Sequence, residues 1–234
     1  MKKSNSKQKA LGAFRNLGAV ALITATIFFV ACKQTGNTGG GGGGGKQGAP
    51  FVEGGASLIL SPDNLTIKVK AKTADGSAIT VEGCNETTLA SGTRTTLLAK
   101  GTKVILKGKI TELDCEGNKL TALNVQGCTA LQELFCYENQ LTELNVQGCT
   151  ALKYLRCYGN KLNAQAMTAL LNALPDRKSG NNAEATLYTE ETGVTEENCT
   201  DFTQSEDLQK AFDGAKSRNW KLKKYSASGD KVDI

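Results

Sequence analysis

Cysteine is the residue type best placed to do chemistry in this chain, which holds eight cysteines and no histidine in 234 residues. A thiol becomes a nucleophile or metal ligand only as the thiolate, and it usually needs a basic or charged neighbour to reach that state. Histidine, the commonest such partner and the commonest general base, is missing. Cys84 and Cys199 have no activating pattern around them. No two cysteines stand in the C-x-x-C spacing of metal sites. Aspartates and glutamates form no convincing catalytic pair. We therefore expect no enzyme, no metal and no cofactor, and look for a binding role instead.

Most of the remaining cysteines are periodic. Cys115, Cys136 and Cys157 recur every 21 residues, and Cys128 and Cys149 share that interval. The period belongs to whole blocks: LTALNVQGCTALQELFCYENQ over 120–140 and LTELNVQGCTALKYLRCYGNK over 141–161. A degenerate copy, ITELDCEGNKL over 110–120, aligns with LQELFCYENQL over 131–141. The shared pattern is [LI]-x-x-L-x-C-x-x-N-x-L. Repeats of this kind stack, each giving a short strand, a turn and a return path. Leu113, Leu134 and Leu155 would then lie one above another, about 4.8 Å apart, with a column of cysteines and a column of Asn118, Asn139 and Asn160 beside them. Two readings stand for the stacked thiols: disulfides between neighbours, or small buried hydrophobes. The torsion that a disulfide demands favours the second. Setting Cys32 apart leaves seven, an odd number, so at least one has no partner within the chain.

The pattern resembles the Treponema-type leucine-rich repeat, a bacterial variant with cysteine in a leucine position. The likeness is tight over Ile110 to Leu162. Segments around 169–178 and 219–222 are similar to the C-terminal endings of related repeat proteins. The resemblance implies an α+β, β-rich fold: a short leucine-rich-repeat solenoid over 110–162, with a β-rich N-terminal cap over 51–109 and a helix/strand C-terminal cap over 163–234. It also implies an adhesin-like role, with attachment to a host surface, matrix or other bacteria.

The flanking segments are legible from their own chemistry. Asn163 can start a helix ending before Pro175, with Met167, Leu170, Leu171 and Leu174 on one face. Thr203 and Glu206 form a capping-box pair ahead of a helix bearing Leu208, Ala211, Phe212 and Ala215. Ala185 to Thr189 and Lys221 to Tyr225 read as strands. Upstream, Leu65, Ile67, Val69 and Ala71 alternate with polar residues in a half-buried strand. Asp75-Gly76 offers a hairpin turn towards Ile79 and Val81. Val104 to Leu106 is expected to pair with the first full repeat and to help cover its open edge.

The chain opens with Lys2, Lys3, Lys7, Lys9 and Arg15, then an apolar stretch to Ala31. Residues 1–31 read as an export signal. Ala31-Cys32 resembles a bacterial lipidation site, with Phe29 where leucine is usual; an uncleaved membrane anchor is the alternative. Residues 32–50 would be a lipidated Cys32 followed by a glycine-rich tether, including seven glycines from Gly39 to Gly45. The leader carries five basic and no acidic residues. From Cys32 onward the chain has as many basic as acidic residues, 23 acidic in all. A neutral chain does not attract a phosphate backbone, so no nucleic acid is expected.

Side chains alternate along a strand, so inward Leu113 and Cys115 send Glu112, Asp114 and Glu116 outward. The next repeat presents Glu133, Phe135 and Tyr137, the third Tyr154, Arg156 and Tyr158. Tyr188 would extend the group if its strand joins in register. Aromatics and arginine are enriched at binding hot spots, and an acidic row beside them would favour a partner with a basic rim. The alternative for the aromatics is simple cross-strand shielding. The expectation is an exported, lipid-anchored, surface-displayed binder of a protein ligand, attached to a membrane through Cys32. The second expectation is a periplasmic protein that binds another envelope component.

Overall fold

A computed structural model describes residues 48–178 and 182–234. The segment expected to be an export signal, Cys32 and most of the segment expected to be a tether lie outside the described residues. In chain order the strands of the N-terminal part are β1 (Gly55–Leu60), β2 (Thr66–Thr73), β3 (Ile79–Glu82), β4 (Thr88–Leu89), β5 (Thr95–Leu98) and β6 (Lys103–Lys107). The repeats supply β7 (Ile110–Asp114), β8 (Leu120–Asn124), β9 (Glu133–Phe135) and β10 (Tyr154–Arg156). Helix α1 (Ala164–Ala173), β11 (Ala183–Thr189), α2 (Glu206–Ser217), β12 (Trp220–Tyr225) and β13 (Lys231–Asp233) complete the chain. The protein is α+β and strand-rich, with two sheets.

The eight-stranded sheet runs β13-β12-β11-β10-β9-β7-β2-β5. Its middle, from β7 through β12, is parallel, and antiparallel strands close both ends. Register is set by burial. Leu113, Leu134, Leu155, Ala185 and Leu222 pair in one line and are all fully or almost fully buried. A one-residue slip would expose every one of them, which is why so short a strand as β9 holds its place. Cys115, Cys136 and Cys157 are buried behind this line, and all seven described cysteines are free thiols.

The asparagine column binds the repeats together. Asn139 donates from Nδ2 to the carbonyls of Cys115 and Cys136, at 3.0 and 3.1 Å, and its Oδ1 accepts from the N–H groups of Asn118 and Leu120. Asn160 repeats the pattern on Cys136, Cys157 and Leu141. Asn118 extends it to both backbone groups of Lys68 in β2. At the far end Asn198 takes the next place, donating to Cys157 and Leu187 and accepting from Leu162. Each amide thus pairs backbone groups that the turns would otherwise leave buried and unsatisfied.

The second sheet, β4-β3-β6-β1-β8, is antiparallel throughout. Here two expectations are corrected. Asp75-Gly76 does not close a hairpin: it carries the chain from β2 in one sheet to β3 in the other. Val104 to Leu106 pairs within the second sheet, with β1 and β3, and β2 is the strand that covers the edge of the first repeat. The alternation in β2 that marks it as half-buried suits it to that edge, whereas β6 buries Val104 and Leu106 between the sheets. Helix α1 begins as expected, with the Asn163 side chain accepting from Ala166 N–H. Helix α2 is capped by Ser205, which accepts from Leu208 N–H, and not by Thr203, whose hydroxyl and N–H are engaged by Asp201.

Candidate binding face on the parallel ladder

The parallel register arranges outward side chains in rows. One row runs Glu112, Glu133, Tyr154, Glu184, Lys221; the next runs Asp114, Phe135, Arg156, Thr186, Lys223. Beyond the strand ends, Tyr137 stacks on Tyr158 with ring centres 4.6 Å apart. Tyr154 is 40% exposed, and Glu112, Glu116, Glu133, Phe135, Tyr137 and Arg156 are partly exposed. The expected set is therefore brought onto one surface, but its accessibility is uneven.

Asp114 and Tyr158 are corrected from solvent-facing to buried, at 8% and 7% exposure. Both are covered by residues from outside the repeats. Arg94, in the turn before β5, ion-pairs with Asp114 and lies 3.2 Å from Glu116. Lys70 of β2 reaches Glu112 at 2.6 Å. The acidic row is thus matched by bases of the N-terminal segment, so its three carboxylates already hold cations of this chain. Tyr225 of β12 meets Tyr158 edge-on at 5.2 Å. Burial pushes the Tyr158 hydroxyl well above the ordinary phenol range. Tyr188 does not extend the patch: β11 pairs in register through Thr186, then shifts, and Tyr188 packs towards Phe202. Arg94 and Tyr225 carried no periodic signal in the sequence, whereas Lys70 belongs to the polar side of the alternation in β2. The basic character of β2 was the one available hint.

Between these covered ends lies a shallow concavity of about 260 Å³, lined by Glu133, Phe135, Tyr154, Leu155, Arg156, Glu184 and Lys231. The Arg156 guanidinium sits 5.1 Å from the centre of the Phe135 ring, a cation–π distance. Lys231 is engaged by Glu184. Among the described residues, neither Arg156 nor Glu133 makes an ion pair. A second concavity, about 390 Å³, lies at the turn edge beside Lys119, Glu138, Gly159 and the Lys161–Glu197 ion pair.

Burial holds the thiols of the repeats in their protonated form. Burial pushes Cys128 and Cys149 up to about 12, and Cys115, Cys136 and Cys157 higher still. Among the described residues no cluster of cysteine and carboxylate side chains is placed to hold a metal ion. No helix among them is long and apolar enough to cross a membrane. No family model matches the chain, and neither a curated protein nor a solved structure matches it.

Proposed function

We propose that this is an exported, lipid-anchored protein whose short leucine-rich-repeat solenoid binds a protein ligand through the outer face of β9 and β10. The observation that carries this reading is the open cluster of Phe135, Tyr154 and Arg156 directly above fully buried Leu134 and Leu155. Aromatic rings and a guanidinium held on a rigid ladder lose little freedom when a partner docks. The tether side supports the same reading. Ala49 accepts from the Asn124 side chain at 3.1 Å, and Gly48 approaches Glu143. The chain thus enters along the return path of the repeats, across the buried leucines from the strand face.

The ligand class comes from the resemblance: a host surface, a matrix protein or another bacterium. Replacing Phe135, Tyr154 and Arg156 together by serine, while leaving the Tyr137–Tyr158 stack in place, is expected to abolish adhesion of cells displaying the protein. Melting temperature should stay within a few degrees of the parent, because the three side chains are partly exposed. Adhesion that survives in a folded variant would refute this face. Protease treatment of intact cells reads location separately: cleavage supports surface display, and resistance supports the periplasmic alternative.

A further inference from the structure

The concavity over β9 and β10 has a charge pattern that specifies more than a generic partner. Of the basic side chains around this face, Lys70, Arg94, Lys223 and Lys231 each hold a carboxylate, while Lys72, Lys221 and Arg156 hold none among the described residues, and of these three Arg156 is the one that lines the concavity. The Arg156 guanidinium carbon lies over the Phe135 ring, 5.1 Å from its centre, and its N–H groups donate to no acceptor among the described residues. A carboxylate matches the edge of a guanidinium with two parallel hydrogen bonds. Glu133, on the neighbouring strand in the other row, is the uncommitted carboxylate of the concavity.

Glu133 and Arg156 lie on one diagonal of a square, one strand and two residues apart, and Phe135 and Tyr154 lie on the other. Strand spacings put the diagonal at about 8 Å. Same-side residues of an extended segment stand about 7 Å apart. The volume of about 260 Å³ is below the roughly 300–1,000 Å³ of pockets that enclose small molecules. It suits one or two side chains of a larger partner.

We propose that this concavity receives an extended protein segment bearing an acidic and a basic side chain at positions i and i+2, the acid seated on Arg156 and the base on Glu133. The aliphatic stems of those side chains lie against Tyr154 and Phe135. The inference rests on the binding-face reading above and adds the chemistry of the ligand.

The test uses the full chain in detergent and four β-prone peptides of one backbone, displayed on beads: Lys-Thr-Glu, Lys-Thr-Lys, Glu-Thr-Glu, and Lys-Glu adjacent. The parent is expected to favour Lys-Thr-Glu over each of the other three by about fivefold, the scale of one exposed ion pair. Arg156→Glu should shift the preference to Lys-Thr-Lys, and Glu133→Arg to Glu-Thr-Glu. Arg156→Gln, which keeps a donor without the charge, should lose the discrimination against Lys-Thr-Lys. Equal binding of the four peptides, no binding of any, or reversals that leave the preference unmoved would overturn the proposal. If the serine variant still abolishes adhesion in that case, the binding face stands and only this ligand chemistry falls.

Discussion

Glu138 stands where the neighbouring repeats place glycine. Gly117, Glu138 and Gly159 share one repeat position and adopt φ of 64°, 52° and 62°. This left-handed conformation costs a side-chain-bearing residue about 1–2 kcal/mol, against the roughly 0.5–1 kcal/mol of chain entropy that glycine loses on folding. Glu138→Gly is therefore expected to stabilise the protein by up to about 1 kcal/mol, read from urea unfolding. Gly159→Ala should do the opposite, by about 1–2 kcal/mol. Its added methyl would meet the Glu138 side chain and backbone at 3.2 Å, in a conformation already unfavourable.

At the scale of the element, the asparagine column matters more than any strand, because β9 and β10 are three residues each. Asn139→Ala would strand the N–H groups of Asn118 and Leu120 in a buried turn and leave the carbonyls of Cys115 and Cys136 to the Asn118 and Asn160 amides alone. At about 1–3 kcal/mol for an unsatisfied buried group, partly relieved by relaxation, the expected loss is about 3–5 kcal/mol. Asn163→Ala removes only an exposed helix cap and should cost about 1 kcal/mol. Equal losses at the two positions in chemical denaturation would show that the column is not what ties the repeats together. The sequence displayed three members of this column through their period. It hid Asn198, which lies 38 positions past Asn160 and reaches its place only because the C-terminal segment folds back.

For the molecule as a whole, the buried thiols make stability depend on alkaline pH. A native thiol at about 12 against an ordinary value near 8.5 means that unfolding exposes a stronger acid. The folded state then binds more protons than the unfolded one between those values. The contribution is fully present below about pH 8.5 and is lost as pH rises, at about 1.4 kcal/mol per pH unit for each such thiol. Urea midpoints should hold steady from about pH 7 to 8 and fall between about pH 9 and 10. Cys136→Val should flatten that fall, since it removes one fully buried thiol. At about pH 8, below the ordinary thiol value, a thiol-directed reagent should label the folded chain far more slowly than the denatured chain at all seven described positions.

The repeat alone determined which side chains share a line, because a period of 21 places Leu113, Leu134 and Leu155 in one register and strand alternation then assigns Glu133, Phe135, Tyr154 and Arg156 to the opposite side. Only the tertiary structure decided how much of that side stays open. Arg94 and Lys70 arrive from the N-terminal strands, Tyr225 from the last parallel strand, and a register shift in β11 turns Tyr188 away. Burial of an outward residue depends on what segments remote in the chain lay over it, and such long-range contacts leave no periodic trace in the sequence.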